Sequence, residues 1–337
     1  MKIRELGEFG LLEELSRVVK EAGVGQGPDL LLGIGDDASA WLGLGRVELL
    51  TTDILVEGVH FDLKITSWRE LGWKSLAVNL SDIAAMGGQP SQAVISLGLP
   101  EDVEVEQVLE LYQGMIGLAK EFNLLLSGGD LTASPMVIIS PTVAGYGKEG
   151  QLLTRSEAHP GQLIGVTGYL GSAAAGLQML REGLEFDPEI TLYLRQAHLH
   201  PVPRIAEAQK LVQEGIRVAI DVSDGLVADL RHICQASGVE AEVEAENLPV
   251  HPLVKSAFGE ASLRLALAGG EDYELIFVGE EEKIQRVRQQ MSTPVSIVGR
   301  ILPGEAGKVK VLHQGSSLGE LESGWEHFKS GKATWSC

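Results

Sequence analysis

The chain has 337 residues, 44% of them apolar, which is enough for well-buried cores and excludes global disorder. Lysine and arginine number 27 against 47 aspartates and glutamates, a formal charge of −20 that argues against nucleic acid or an anionic membrane as partner. No apolar run reaches the roughly 18 residues of a membrane span, the two cysteines lack metal-ligand spacing and suit a reducing cytoplasm, and the charged opening MKIRELGEFG does not read as a secretory leader.

In chain order, residues 8–22 read as a helix with Leu11, Leu12, Leu15, Val18 and Val19 on one face, stopped by Gly23, Gly25 and Gly27. Short apolar runs at 30–35 and 47–55 read as strands. Residues 68–86 carry helical periodicity, broken by Gly87-Gly88 and Pro90. A strand at 93–99 precedes an amphipathic helix at 102–122, with Val105, Val108, Leu109, Tyr112, Ile116 and Ala119 expected inward. Residues 124–130 and 136–147 read as strands. The runs 93–99 and 136–145 are rich enough in Val, Ile and Leu to be buried on both faces.

The polar, turn-rich stretch 147–161 is the expected boundary between an N-terminal α/β domain, 1–150, and a C-terminal α/β domain, 151–337. The second begins with a strand at 162–168 and a helix at 171–183. The segment 216–225 is a strand running through Asp-x-Ser-Asp-Gly into a helix at 226–236. Strands at 273–279, 294–300 and 308–312 follow, and the mixture in both halves makes the fold class α/β or α+β.

The informative pattern is a repeated punctuation, in which an apolar stretch ends in a carboxylate flanked by Gly, Ser or Thr. It occurs at GIGDD (Asp36, Asp37), TTD (Asp53), NLSD (Asp82), SGGD (Asp130), DVSDG (Asp221, Asp224) and GGED (Glu271, Asp272). One such Gly-Asp is most often a turn or a helix cap. Six in one chain suggest carboxylates converging at the rim of a sheet, where ligands usually bind. Like charges about 4 Å apart repel by about 4 kcal/mol at an effective dielectric of 20, so a cluster needs cations. All-oxygen ligands point to Mg²⁺ rather than zinc, and the glycines would let phosphates approach the backbone. Walker A, kinase H-R-D and D-F-G motifs are missing, and no motif marks a dedicated nucleophile or base.

The ordered series GIGDDAS, TTDILVEGVHF, KSLAVNLSDIAAMGG, SGGDLT, LLTRS, DVSDGL and GGEDYEL, with a late aromatic before HF, resembles the thiamine-monophosphate kinase family. That family lies within the superfamily of aminoimidazole ribonucleotide synthetase. The resemblance runs from about residue 5 to 328. It implies two α/β domains of the aminoimidazole ribonucleotide synthetase-like fold, with N-terminal sheets pairing across a homodimer. It implies a cytoplasmic enzyme that uses ATP, Mg²⁺ and K⁺ to turn thiamine monophosphate into thiamine diphosphate by direct in-line transfer. Asp37, Thr51, Thr52, Asp53, Asp82, Asp130, Asp221 and Asp224 match its metal ligands. Tyr112, Gly129, Arg155 and Ser223 match its ATP contacts, and His60, Glu271 and Trp325 match positions near the thiamine moiety. Asp130, Arg155 and Asp224 are the residues expected to carry the chemistry.

Two other readings stand beside this one. The C-terminal Cys337 invites comparison with the hydrogenase maturation carbamoyl-dehydratase of the same superfamily, but the tail Thr-Trp-Ser-Cys differs from that enzyme's Pro-Arg-Ile-Cys. The other is a non-catalytic acidic protein that binds metal and nucleotide.

Overall fold

The computed structural model describes residues 10–11, 13–14, 16–18, 21–22, 29–33 and 35–319. Trp325 and Cys337 lie outside them. By its backbone contacts the chain forms two compact units. The first holds the described residues through Asn79 together with Pro90–Glu149. The second holds Leu80–Gln89 and the described residues from Gly150 onward.

The first unit is built on a mixed sheet in the order β1 (Leu30–Leu32), β2 (Ser39–Leu42), β3 (Val47–Thr52), β7 (Ile138–Gly147), β5 (Gln89–Leu99) and β6 (Leu125–Ala133). The short β4 (Leu55–Val56) also pairs with β7. The run read as one strand over 47–55 is therefore two, broken at Asp53-Ile54. β5 and β6 are parallel and are joined through α2 (Val105–Glu121). Ile95, Leu97, Ile139 and Val143 are buried while Val94 is exposed. Within this unit β5 and β7 thus alternate and bury one face, rather than both as their composition suggested.

The preceding helix, α1 (Trp68–Ala85), is buried along almost its whole length. Buried polar side chains in it are bonded to backbone one turn earlier: Asn79 Nδ2 donates to the Ser75 carbonyl and Ser75 Oγ to the Gly72 carbonyl. A Cβ on Gly72 would lie 1.9 Å from the Leu111 carbonyl oxygen, and one on Gly114 would lie 1.9 Å from that of Arg69. The backbones of α1 and α2 touch there, which fixes the inward face of α2. Leu111, Gly114, Met115, Leu118 and Ala119 are buried, while Val105, Leu109 and Ile116, expected inside, are exposed.

The second unit holds a sheet in the order β14 (Ser316–Ser317), β13 (Lys308–His313), β10 (Glu240–Glu244), β12 (Val295–Leu302), β8 (Leu163–Thr167), β11 (Leu275–Gly279) and β9 (Val218–Asp221). Only β10 and β13 run parallel. β9 and β11 are buried at every residue. Gly165 faces Phe277 across the ladder, and a Cβ there would sit 2.4 Å from the phenyl ring, so the glycine makes room for the largest core side chain.

Helices α3 (Ser172–Glu182), α4 (Pro188–Leu199), α5 (Ile205–Gln213), α6 (Leu226–Ser237), α7 (Pro252–Phe258), α8 (Ala261–Ala268) and α9 (Glu281–Gln290) complete the unit. The turn after α1 is held here as well, since Gln209 Nε2 donates to the Gly87 and Gly88 carbonyls at 2.7 and 3.1 Å. Cys234 is buried in this core, where burial and nearby Glu240 push its thiol up to about 12 and make it inert. No helix among the described residues is long and apolar enough to cross a membrane.

Candidate active site

The acidic motifs of the second unit are assembled by long-range backbone contacts. β9 ends at Asp221, and the chain turns through Ser223-Asp224-Gly225 into α6. Three backbone N–H groups, of Ser223, Asp224 and Gly225, donate to one oxygen of Asp229 at 3.0–3.1 Å. Asp229 lies in the first turn of α6 and is buried. Burial, with Asp224 and Asp221 close by, raises its carboxyl well above the ordinary range, against the pull of those N–H groups. This residue shapes the DVSDG turn, and its place five residues beyond Asp224 on a helix face was the only sequence signal for it.

The GGEDYE segment lies directly on that turn. Glu271 N–H donates to the Ser223 carbonyl and Tyr273 N–H to the Val222 carbonyl. A Cβ on Gly270 would be 2.4 Å from the Ser223 carbonyl oxygen, so the close approach requires glycine. Its three acids take different partners. Asp272 accepts from the backbone N–H groups of Gly171 and Ala173 at 2.6 and 2.9 Å and so caps α3; burial pushes it up to about 7. Glu274 is buried and receives Thr167 Oγ1 at 2.7 Å and a bidentate Arg204 guanidinium at 2.6 and 2.5 Å. Glu271, half-exposed, has its Oε2 3.3 Å from Nδ1 of the buried His198. Sequence reasoning missed Arg204, Glu274 and His198, because each acts across the fold.

Asp82, on the last turns of α1, and Asp221 bring carboxylate oxygens within 4.8 Å of one another. Ser81 Oγ donates to Asp221 Oδ2 at 2.6 Å. Two full charges at that separation repel by on the order of 3 kcal/mol at an effective dielectric of 20. The donors are all oxygen, a set that fits a hard divalent cation such as Mg²⁺. Arg155 follows Thr154, which bridges to Val218 along β9, and the Arg155 carbonyl is held by Ser237 Oγ at 3.1 Å.

In the first unit the expected site residues sit on β3, β6 and the loops beside them. Asp37 follows β1, with its N–H on Asp36 Oδ1 at 3.0 Å. Thr51 is buried and Thr52 exposed, since successive strand residues face opposite sides; a single ion on one face could take only one of the two hydroxyls. Asp53 N–H donates to Asn79 Oδ1 at 3.0 Å and its carbonyl accepts from Ser140 Oγ at 3.0 Å, while burial pushes its carboxyl up to about 6. His60 Nδ1 accepts the Val56 N–H at 3.0 Å, which places the imidazole proton of the neutral ring on Nε2. Gly129 touches Ile95: a Cβ would be 1.9 Å from that carbonyl oxygen. Asp130 stands exposed in the middle of β6, which continues to Ala133, and not at a strand end as its motif suggested. Tyr112 is half-buried on α2.

Comparison with known proteins places this architecture. Residues 35–148 match the N-terminal domain of AIR synthase related proteins, and residues 159–312 the C-terminal domain. The thiamine-monophosphate kinase of Aquifex aeolicus is 36% identical over 97% of this chain and 100% of its own length. That of Bacillus subtilis is 34% identical over 96% and 100%. The solved structure of AaThiL complexed with AMPPCP and TMP superposes with a TM-score of 0.84 at 34% identity, covering 97% of this chain and 99% of that one. With both domains matched in order and relatives aligned end to end, the chain belongs to the thiamine-monophosphate kinase family of AIR synthase related proteins.

Proposed function

We infer that the protein transfers a phosphoryl group from ATP to thiamine monophosphate, giving ADP and thiamine diphosphate. The observation that carries this is the near full-length match to AaThiL, solved with AMPPCP and TMP. The site chemistry supports it. A phosphate monoester has a second pKa of about 6, so near neutral pH the acceptor is largely a dianion and needs no general base. What the chain must do is align two anions and reduce their repulsion.

In this reading Asp37, Thr51, Thr52, Asp53, Asp82, Asp130, Asp221 and Asp224 hold Mg²⁺, with K⁺ as a further cation. Bound Mg²⁺ supplies charge neutralisation for the polyphosphate. Tyr112, Gly129, Arg155 and Ser223 bind ATP, Arg155 through bidentate contact with phosphoryl oxygens. His60, Glu271 and Trp325 bind the thiamine moiety. Asp130, Arg155 and Asp224 border the reacting phosphates, and transfer is direct and in line. The boundary lies near residue 150, with Asp37, Asp53 and Asp130 before it and Arg155 to Glu271 after it, while Asp82 belongs by its backbone contacts to the second unit. The protein works in the cytoplasm.

The homodimer is part of the same reading. Val105 and Leu109 on α2 and Leu125 and Leu131 on β6 are between 56 and 69% exposed, a large apolar surface for a monomer to leave in water. A second copy covering it would shield the open side of β6.

The test is a discontinuous assay with ATP, Mg²⁺ and thiamine monophosphate. Thiamine diphosphate and ADP are expected in equal amounts, with no turnover of unphosphorylated thiamine. Efficient use of thiamine would overturn the assigned acceptor. Label from γ-³²P-ATP retained on the protein before acceptor is added would overturn direct transfer.

A further inference from the structure

We propose that the second unit carries another ligand site, at the end of its sheet opposite Asp221: a cavity built to take a small phosphate ester that also bears a cationic group. The cavity has a volume of about 180 Å³, smaller than the pockets that hold drug-sized molecules. Its floor is the buried end of β11, Val278-Gly279, with buried Ile216 and Val218 beside it. Val218 opens β9 and Asp221 closes it, so the cavity and the candidate metal ligand lie roughly 10 Å apart along one strand.

Two cations form one wall. Arg217 Nη1 donates to the Val212 and Ile216 carbonyls at 3.3 and 2.6 Å, and Lys283 Nζ, in the first turn of α9, donates to the Gly215 carbonyl at 2.8 Å. These bonds fix both heads but neutralise neither, since among the described residues no carboxylate pairs with Arg217 or Lys283. Elsewhere in this unit Arg204, Arg286, Arg300, Lys308 and Lys310 each hold a glutamate. In a chain with 47 acids against 27 lysines and arginines, two half-buried cations lining one cavity without an acid partner are a local reversal of charge. Nε and Nη2 of the guanidinium and the rest of the ammonium N–H bonds have no protein acceptor among the described residues, and they are donors suited to phosphoryl oxygens.

The opposite wall is acidic. β11 lies between β9 and β8, with Val278 opposite Val218 and Gly279 opposite Leu163. The β9 side therefore carries Arg217. The β8 side carries Gln162, whose Nε2 donates to Glu280 Oε1 at 3.2 Å and whose Oε1 receives the His159 N–H at 2.8 Å. Two strand spacings, about 10 Å, separate these sides. Glu157 places a second carboxylate at the exposed rim. A bare anion would meet these acids as well as the cations. A ligand with phosphate at one end and an ammonium at the other meets opposite charge at both.

The test is calorimetric titration of the full chain with O-phosphoethanolamine, in EDTA so that no divalent cation holds phosphate at the Asp cluster. The parent is expected to bind one equivalent. Lys283→Met should weaken binding by about tenfold or more, and Glu280→Gln should weaken phosphoethanolamine by about threefold or more without weakening inorganic phosphate. Asp224→Asn, beyond the far end of β9, should leave both affinities within about twofold. No binding by the parent, unchanged affinity in Lys283→Met, equal loss of both ligands in Glu280→Gln, or loss of binding in Asp224→Asn would overturn the proposal. A second measurement needs no variant and decides the matter if Lys283→Met does not fold. In the ¹⁵N-labelled parent, phosphoethanolamine should move the amide resonances of Gly215 and Gly279 and leave those of Gly225 and Gly270 in place. Movement at Gly225 and Gly270 instead, or at none of the four, overturns it.

Discussion

The acidic residues of the second unit and Asp130 of the first are held in opposite ways. Asp229 and Glu274 are buried and Asp272 is partly so, and each is bound by groups from distant parts of the chain or by a turn that it folds around itself. Asp130 stands exposed on β6, with Gly129 pressed on Ile95 beside it and no buried partner. In the second unit, then, the groups that shape the site also hold the fold together. In the first, a site residue is displayed on a strand whose stability owes it nothing. Substitutions should separate stability from activity in one region and not in the other.

The sharpest way to break this contrast is Glu274→Ala. It leaves the Arg204 guanidinium and the Thr167 hydroxyl without their common acceptor, and removing one partner of a buried pair costs about 3–5 kcal/mol. A urea midpoint lowered to match, with activity lost in step, is expected. A midpoint near the parent's would show that the second unit tolerates the loss of its buried acids.

A smaller effect comes from Asp272, and it is visible in pH. Burial raises this carboxyl to about 7, so the folded protein holds the proton more tightly than the unfolded chain does. A raised acid makes its unfavourable contribution as pH climbs from about 4 to 7, and none below its unfolded value. On lowering the pH from 7.5 to 5, the parent should therefore gain Tm relative to Asp272→Asn, which cannot titrate. Parallel Tm profiles for the two proteins over that range would count against a buried, proton-binding Asp272.

The smallest expected change in stability belongs to Asp130→Asn. Removing the charge of an exposed carboxylate should alter the unfolding free energy from urea titration by less than about 0.5 kcal/mol. Its kcat should nonetheless fall by more than a hundredfold if Asp130 holds Mg²⁺ beside the phosphates. Loss of stability together with activity would mean that the two regions are built alike.

Much of this architecture is legible in the residues, for reasons that differ by region. The punctuation at DVSDG and GGED shows itself because glycines are needed wherever two backbones touch, as Gly270 does against Ser223. Strands β9 and β11 show themselves because their apolar residues are continuous, in β9 up to the closing Asp221. The face of α2 was misjudged because hydrophobicity alone ignores glycine: Gly114 and Gly72 decide how α1 and α2 meet, and Val105 and Leu109 are left outside. Within its own unit β5 buries one side, because composition does not say whether the second layer comes from the same unit or from elsewhere. Asp229, Arg204 and His198 were passed over because nothing local distinguishes a buried ion partner from a surface charge.

The position of β8 has a consequence for how the protein is made. It is the first strand of its unit to leave the ribosome, yet its two neighbours in the sheet are β11 and β12. Thr167 waits for Glu274, 107 positions later, and Gly171 waits for Asp272, 101 positions later. At a synthesis rate of roughly 5–20 residues per second, the apolar edge of β8 stands unpaired for on the order of ten seconds. The nascent second unit is then a client for whatever binds exposed strands in the cell. A chain released early, at residue 260, would carry the whole DVSDG motif and most of the apolar core, but neither neighbour of β8 nor the acid that caps α3.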